Sequence, residues 1–265
     1  MSIFCELDEA DVRSLARRVI VPGAQEPFGA YLFGADEPGA QLGRALERQV
    51  FLEAFGNTPD LLAAEYGPYE LSSIFLCVID HRRALPAGVM RVLLPSPLGS
   101  KSLNDIGSAW GEAPAALIER TGLGLDTATT WDIATLAIAP DYRGKAAQGL
   151  VAMGLYQTLT LAARRLGIEW FVAILDMPVF RMLRWKLRMI FAGFDGLAPR
   201  SYLGSAASIP AWCSVVEAER RLAEQDPDLH AILVLGEGLE PALRRVDLAR
   251  IDSLVAWRRE EAAGL

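Results

Sequence analysis

The sequence predicts a mixed α/β fold whose sheet contains both antiparallel and parallel strand pairs. Two apolar runs, 71–80 and 88–94, are separated by a short charged segment, which is typical of an antiparallel hairpin. Further along, an apolar run over 131–139, a helical repeat over 146–166 and a second apolar run over 168–175 follow in order. A strand, a helix and a strand in this order indicate a right-handed parallel crossover.

Composition favours one large domain with a modest extension. The chain has 265 residues, of which 52% are hydrophobic, enough for a sizeable core. Its net charge of −7 argues against a nucleic-acid partner, because phosphate binding requires clustered Lys and Arg. The three cysteines are far apart and form no CxxC pair, so neither a disulfide framework nor a thiolate metal site is expected. We find no signal-peptide pattern and no integral membrane segment, and we expect a cytoplasmic protein.

The N-terminal elements are predicted to be a helix, a loop and a second helix. In residues 6–20 the acidic side chains come first and the arginines later, an order that suits the helix dipole. Residues 21–40 contain seven Gly and Pro residues and predict a loop. Apolar residues recur near one face of 41–55, which predicts a helix.

The later elements alternate in the same way. Residues 95–130 are rich in Gly, Ser, Asn and Pro and predict an irregular segment with one short helix over 113–120. A helix is expected to follow Asp176 as far as Phe191, because Pro178 suits a first turn. The last elements expected are a strand region over 200–216, a helix over 214–224, a strand over 230–236 and a charged helix over 240–262.

A distinctive segment lies where the strand over 131–139 meets the next helix. The chain there reads Leu136-Ala137-Ile138-Ala139-Pro140-Asp141-Tyr142-Arg143-Gly144-Lys145. This string resembles the acyl-CoA signature of the GNAT superfamily of acyltransferases. A turn with successive backbone N–H groups before a helix N-terminus suits a phosphate. The resemblance implies that the Arg-Gly-Lys end holds the donor phosphate and that the Leu-Ala-Ile end pairs with pantetheine. A strand, turn and helix without a ligand is the alternative.

Other segments resemble the autoinducer synthases within that superfamily. They are Arg48-Gln49-Val50-Phe51, Glu65-Tyr66-Gly67-Pro68-Tyr69-Glu70, Gly88-Val89-Met90-Arg91 and Trp131-Asp132-Ile133. Where those synthases have Ser-Arg after the acidic residue, this chain has Ala134-Thr135, so the long-chain N-acyl amino acid synthases are the better comparison. The resemblance implies a GNAT-like fold: a twisted, mostly antiparallel sheet of about seven strands, helices on both faces, and a V-shaped split between two parallel central strands. We divide the chain into an N-terminal extension over 1–40, a GNAT-like domain over 41–236 and a C-terminal helix over 237–265.

The implied function is transfer of an acyl group, expected to be long-chain, from a thioester to a primary amine such as an amino acid. The donor would be the phosphopantetheine of an acyl carrier protein or acyl-CoA, as a co-substrate, with no permanently bound cofactor. Two alternatives stay open. One is an acetyl-CoA-dependent N-acetyltransferase. The other is a non-catalytic ligand-binding protein on a decayed GNAT scaffold, because Ala146 and Gln148 replace glycines of the family.

Five residues are candidates for catalysis and acceptor binding. Asp132 is the candidate general base or base-orienting group, because a carboxylate between splayed strands can accept the amine proton. Arg48 and Arg91 are candidates for clamping an acceptor carboxylate, which the guanidinium fork fits. Phe51 and Glu70 are candidates for the rest of the acceptor pocket. The structural alternatives are salt bridges with neighbouring charges and ordinary core packing.

The helix after Asp176 carries the basic residues Arg181, Arg184, Lys186 and Arg188. Steps of three and four place the arginines along one face. Acyl carrier proteins are acidic, so this stripe is a candidate docking surface for one. A solvated helix whose arginines pair with nearby acids is the alternative. Neither histidine lies in a nucleophile-elbow context and no HxxxH occurs, so we expect no hydrolase triad and no metal site.

Overall fold

The computed structural model describes residues 6–144, 147, 149–185 and 191–253. Its strands are β1 (Phe28–Gly34), β2 (Ser73–Asp80), β3 (Leu85–Leu93), β4 (Thr130–Ile138), β5 (Trp170–Asp176), β6 (Ala192–Gly193), β7 (Arg200–Tyr202), β8 (Ser205–Ser214) and β9 (Leu243–Arg244). Its helices are α1 (Glu9–Val19), α2 (Ala40–Phe55), α3 (Pro59–Tyr66), α4 (Lys101–Asp105), α5 (Pro114–Thr121), α6 (Leu150–Arg165), α7 (Met177–Trp185), α8 (Val215–Gln225) and α9 (Pro227–His230).

Within the described residues, nine strands form one mixed sheet, against about seven expected. The order is β6-β8-β5-β4-β3-β2-β1-β9, with β7 paired alongside β8. The β4–β5 and β1–β9 pairs are parallel and the other pairs are antiparallel. The hairpin of β2 and β3 and the parallel crossover from β4 through α6 to β5 are both confirmed. The mixed α/β fold with a mostly antiparallel sheet is therefore as predicted.

The loop expected over 21–40 is wrong at residues 28–34, which form β1. This strand pairs with β2 along all seven of its residues and is buried over most of its length. The Gly and Pro residues on either side predict a loop, but between them Tyr31 to Phe33 is a short run of strand-forming side chains. Long-range pairing with β2 overrides the local turn signal here. The segment assigned to an extension thus supplies a strand to the same sheet as the central domain.

Two expectations for the C-terminal part are also corrected. The strand expected over 230–236 is helical, because α9 continues into a π-helical turn over Ala231–Leu235. Asp226 caps α9 by accepting from the Leu229 N–H at 3.1 Å. Because this cap starts a helix just before the apolar run, the run continues that helix and does not form a strand. The charged helix expected over 240–262 begins only at residue 248, after β9 has paired with β1, and residues 254–265 lie outside the described part.

Two predicted segments differ from expectation in their details. The irregular segment over 95–130 contains α4 and a π-helical turn as well as α5, which confirms the short helix expected over 113–120. The helix expected from residue 146 begins at Leu150, after Gly149 in the left-handed region. Ala146 and Gln148 lie outside the described residues.

The sheet is covered on both faces, as predicted. On one face α6 packs its buried side chains against β1, β2 and β3. On the other face α2 packs against β2, β3 and β4, and α4 extends this layer toward β5. No helix among the described residues combines the length and the apolar character that crossing a membrane requires.

Close contact between α6 and the sheet depends on Gly88 in β3. A Cβ atom there would lie 2.6 Å from Val151 Cγ1 and 3.0 Å from Leu155 Cδ1, and both side chains are fully buried. Valine cannot turn aside easily because its χ1 is stiff. Only glycine therefore lets the helix approach this strand at the observed distance.

We expect Gly88→Ala to lower the free energy of unfolding by about 1–3 kcal/mol through overpacking. Gly67→Ala is the matched control, since Gly67 has helical dihedral angles and open space around its Cβ position. The control should be neutral or stabilise by up to about 1 kcal/mol. Urea unfolding of both variants measures this, and equal midpoints for the two variants would contradict the packing argument.

Candidate active site

The central cleft of the sheet opens between β4 and β5. Their parallel register joins only three residue pairs: Thr130 with Trp170, Trp131 with Phe171, and Asp132 with Val172. Beyond these pairs β4 continues to Ile138 and β5 to Asp176, with no pairing between the two in the described structure. Most side chains in these unpaired stretches are partly exposed, whereas those in the paired stretch are mostly buried. The V-shaped split is thus confirmed and begins directly after Asp132.

A β-bulge in β4 accounts for the split. Arg91 of β3 pairs with Thr135, but the next residue, Val92, pairs with Ile133, so Ala134 is an extra residue in β4. A bulge bends its strand and increases the local twist. It therefore turns β4 away from β5 immediately after the last paired residue.

The unpaired backbone of β4 presents hydrogen-bonding groups to the cleft. The Ala139 N–H donates to the Ala87 carbonyl of β3 at 3.0 Å. Because backbone direction alternates along a strand, Ala137 also faces β3, while the N–H groups of Leu136 and Ile138 face the cleft. The strand edge expected to pair with the donor therefore lies inside the sheet and has no neighbouring strand.

The turn after β4 lies at the open end of the cleft. Arg143 is exposed, and its Nε donates to the Ile138 carbonyl at 2.8 Å. Gly144 has a φ of +62° and open space at its Cβ position. Lys145 lies outside the described residues. The donor-phosphate role of this turn stays a prediction, and the exposed guanidinium is in a suitable place for it.

Asp132 is buried, and three donors hold its carboxylate. Oδ2 accepts from the Ser100 hydroxyl at 2.7 Å and from the Ser102 N–H at 2.6 Å, and Oδ1 accepts from the Ser102 hydroxyl at 2.7 Å. Ser100 is the N-cap of α4 and Ser102 lies in its first turn, so Asp132 fixes the start of this helix against β4. The expected alternative, an edge carboxylate paired with an arginine, does not describe this environment.

Burial raises the pKa of Asp132 above its ordinary value. The hydrogen bonds from Ser102 and Ser100, and the charge of the nearby Lys101, act in the opposite direction without cancelling the effect. A carboxylate with a raised pKa is a stronger proton acceptor than an ordinary aspartate. Its environment therefore suits the role of a base.

A pocket of about 360 Å³ reaches Asp132 from the side opposite the open end of the cleft. Its wall is formed by residues 93–100, which follow β3, and by residues 127–132 at the start of β4. The carboxylate therefore borders both the cleft between the strands and a separate pocket.

Arg91 lies at the centre of a buried ionic network. Its guanidinium donates to both carboxylate oxygens of Glu47, at 3.1 and 2.7 Å, and to Glu70 Oε2 at 2.8 Å. Glu70 is also bound by Arg44, and Glu47 accepts a hydrogen bond from the Thr135 hydroxyl. Arg91 and Glu47 are 0% and 1% exposed. Two of the predicted acceptor residues, Arg91 and Glu70, are therefore bound to each other.

A second cluster lies beside the first. The Lys101 ammonium binds Glu65 at 2.7 Å and also binds Asp105, and it lies 3.2 Å from the Tyr202 hydroxyl. The ring of Tyr66 joins the clusters, since the Arg91 guanidinium lies 5.0 Å and the Lys101 ammonium 5.2 Å from its centre. Cations over an aromatic face are attracted by the ring quadrupole.

The other predicted site residues lie farther from Asp132 or in other contacts. Arg48 is partly exposed and pairs with Glu6 at 3.3 Å. Phe51 packs against the small cluster of Leu62 and Tyr66, and its ring centre is 5.6 Å from that of Phe55.

The basic stripe is only partly described. Arg181 and Arg184 are exposed on α7, and the Arg184 guanidinium lies 5.4 Å from the centre of the Phe180 ring. Lys186 and Arg188 lie outside the described residues.

Sequence reasoning missed Ser100, Lys101 and Ser102, because the segment around them was treated as irregular. A Ser followed by a short polar run is a helix-start signal, and Ser100 does cap α4. Glu47 was missed as well. It falls on the apolar stripe of α2 next to Leu46, and a charge on such a stripe indicates a buried ion pair.

Comparison with known proteins supports the fold. No protein-family model matches the chain, and no curated protein matches its sequence. Among solved structures, the chain is similar to FeeM, an N-acyl amino acid synthase from uncultured soil microbes. The two share 13% sequence identity with a TM-score of 0.55, and the match covers 76% of this chain and 98% of FeeM. The CoA-dependent acyl-homoserine lactone synthase BjaI has 14% identity, a TM-score of 0.49, and coverage of 84% and 98%. The likeness to FeeM shows a shared fold, and the GNAT-like architecture is confirmed.

Among the described residues, no group of three or more His, Cys, Asp and Glu side chains is arranged to hold a metal ion.

The buried network makes a prediction about stability. Glu47→Gln should lower the free energy of unfolding by about 3 kcal/mol, because it leaves Arg91 buried with part of its charge unpaired. Glu224→Gln is the control, since Glu224 forms an exposed pair with Arg220 that should contribute less than about 1 kcal/mol. Chemical denaturation gives both values. A Glu47 variant as stable as the control would show that the pair contributes no net stability.

Proposed function

We propose that this protein is an N-acyltransferase that moves an acyl group from a thioester directly to a primary amine. The observation that carries the proposal is the cleft itself, where β4 leaves β5 directly after a buried carboxylate and turns two backbone N–H groups toward the gap. The fold shared with FeeM, whose name is that of an N-acyl amino acid synthase, supports the same chemistry. An amino acid is the acceptor expected from the sequence.

The reaction assigns a role to each part of the cleft. The amine nitrogen attacks the thioester carbon, and the Leu136 or Ile138 N–H donates to the oxygen as it gains negative charge. The nitrogen loses a proton to Asp132 through water, because Leu136 and Ile138 lie farther along β4 than one nitrogen could span. The carbon–sulfur bond breaks, and the proton passes to the departing thiolate. An amide and a free thiol are the products, and no covalent enzyme intermediate forms.

The acyl chain is proposed to be long. Leu136 and Ile138 on one side of the cleft and Ile174 and Leu175 on the other are apolar and partly exposed. Apolar surface that stays exposed beside a cleft favours an apolar ligand. A decanoyl donor should therefore be used in preference to an acetyl donor.

The donor is proposed to be carried by an acyl carrier protein, with acyl-CoA as the alternative. Helix α7 follows Asp176, the last residue of β5, and so begins beside the cleft. Arg181 and Arg184 are exposed there, and no carboxylate in the described part of the chain pairs with them. Trp185, which is 79% exposed, adds a large apolar contact on the same helix. A basic surface with an apolar contact suits an acidic protein partner.

The first test of acyl transfer replaces Asp132. Asp132→Asn should lower kcat/KM by about 10²–10⁴, because a positioned base is lost. Thiol release from decanoyl and acetyl thioesters with a panel of amines measures this, with Asp228→Asn on the exposed surface of α9 as the control.

The pH dependence gives a second readout of the same group. Because the pKa of Asp132 is raised, activity should fall as the pH is lowered through that raised pKa, at a higher pH than an ordinary aspartate would allow. Wild-type turnover by the Asn variant would leave Asp132 with a structural role alone. No turnover of any thioester by the wild type would refute acyl transfer.

Charge reversal tests the carrier. Arg181→Glu combined with Arg184→Glu should lower kcat/KM for an acyl carrier protein donor roughly 10-fold or more and weaken its salt dependence, because steering is lost. Turnover of the same acyl group on CoA should stay nearly unchanged. The control reverses Arg220 and Arg221 on α8, which gives the same change in net charge elsewhere. Equal losses with both donors, or with both variants, would remove the stripe from the mechanism.

A further inference from the structure

The pocket beside Asp132 carries a negative charge on its wall. Among the described residues that line it, Asp132 is the one ionisable side chain. The nearest cation, Lys101, stands between the two serines that bind Asp132, but its ammonium is held by Glu65 and Asp105. A ligand carboxylate in this pocket would therefore face the charge of Asp132, while the one nearby cation of the described structure, Lys101, is already paired with two carboxylates.

The pocket retains two positions for a hydrogen-bond donor. A carboxylate has roughly four acceptor sites, and three donors from Ser100 and Ser102 reach Asp132. Ser96 also lines the pocket, and its hydroxyl oxygen is buried without a hydrogen-bond partner in the described structure. Buried polar groups are normally satisfied, so an unpartnered one indicates a missing ligand or water. An amino group bound in the pocket would donate its N–H bonds to acceptors of this kind.

Most of the remaining wall is apolar, although Thr127 and Thr130 also line the pocket. Leu93, Leu94, Pro95 and Pro97 form the apolar part. The adjoining Leu98 is 54% exposed, so the rim of the pocket is apolar as well. A volume of about 360 Å³ is within the range of small-molecule sites.

The loop that carries this wall is held in place. The side-chain amide of Asn104 donates to the Leu98 carbonyl at 2.9 Å and to the Tyr69 hydroxyl at 3.0 Å. The first contact ties residues 95–99 to α4, which Asp132 itself anchors, and the second ties α4 to the segment before β2. The apolar rim and the carboxylate therefore belong to one fixed site.

We infer that this pocket binds the acceptor, and that the acceptor is a hydrophobic primary amine without a carboxylate, its amino group directed at Asp132 and Ser96. The inference rests on the proposed acyl transfer and narrows its acceptor, since an amino acid carries the carboxylate that this pocket does not accommodate. Asp132 then has two functions in sequence: it binds the ammonium group, whose first proton is released to solvent so that the neutral amine can attack, and it accepts the second proton, which the nitrogen loses after attack and which then passes to the thiolate.

The test compares ligands that differ by one group. Calorimetric titration of the full chain uses 2-phenylethylamine, phenylalanine and phenylalaninamide, and the amide controls for bulk without the negative charge. We expect 2-phenylethylamine to bind at least about 10-fold more tightly than phenylalanine, because like charges repel at close range. Phenylalaninamide, which has no negative charge, should bind with an affinity closer to that of 2-phenylethylamine than to that of phenylalanine. Phenylalanine binding as tightly as 2-phenylethylamine would overturn the inference, and so would the absence of amine binding.

A matched pair of variants locates the binding. Ala128 lines the pocket and is exposed, so Ala128→Phe should fill the pocket without disturbing the core and reduce amine binding at least about 10-fold. Ala223→Phe on the exposed face of α8 is the control and should bind as the wild type does. Unchanged binding in Ala128→Phe would place the amine elsewhere and refute the pocket.

Turnover separates this inference from the proposed function. Decanoyl thioester is supplied with each ligand, and the amide product is followed by mass spectrometry. If the amine binds with the expected preference but no thioester is consumed, the pocket assignment stands and acyl transfer fails. If phenylalanine is acylated at least as efficiently as 2-phenylethylamine, acyl transfer stands and the acceptor assignment fails.

Discussion

The arrangement of one whole face of the sheet depends on the burial of a single guanidinium. Arg91 is fully buried in β3, and a charge in that position must be paired and hydrogen-bonded. Glu47 supplies one carboxylate from α2 and Glu70 supplies the other from the segment before β2. Both elements are therefore fixed over the centre of the sheet. The Tyr66 ring under Arg91 then brings the Lys101 cluster to the same place, and Lys101 lies in the helix whose first turn holds the candidate base.

Prediction from sequence succeeded where the signal was local. The β2–β3 hairpin, the crossover through α6 and the position of Asp132 on a central strand all follow from periodicity within short windows. It failed where a partner lies far along the chain. β1 exists because β2 pairs with it more than 40 residues later. Arg44 and Arg48 are one helical turn apart, and only the folded sheet decides that Arg44 reaches Glu70 while Arg48 reaches Glu6. The serines around Asp132 were missed for the same reason, since they lie about 30 residues before it.

The two faces of β4 contribute different side chains to the proposed site, apolar ones on one face and polar ones on the other. Leu136 and Ile138 contribute backbone groups to the cleft and side chains to the layer beneath α6. Asp132 and Thr135 point to the opposite layer, beneath α2 and α4. The extra residue at Ala134 keeps these two polar side chains on one face although an odd number of positions separates them. One irregularity therefore both opens the cleft and aligns the polar residues beside it.

The limited pairing of β4 with β5 also has a mechanical consequence. In the described structure, a ladder of three residue pairs joins the half of the sheet built on β1 to β4 with the half built on β5 to β8, and the Glu169 N–H extends it by donating to the Thr129 carbonyl at 2.9 Å. On the α2 and α4 side further contacts cross between the halves, among them Asn57 to the Leu203 carbonyl at 3.0 Å, Lys101 to the Tyr202 hydroxyl at 3.2 Å, and the Trp110 indole N–H to the Ala198 carbonyl at 2.9 Å. The ladder beside Asp132 is therefore the part of the sheet where the two halves stay hydrogen-bonded strand to strand. A change in the width of the cleft would have to bend the sheet next to this ladder, and so next to the candidate base.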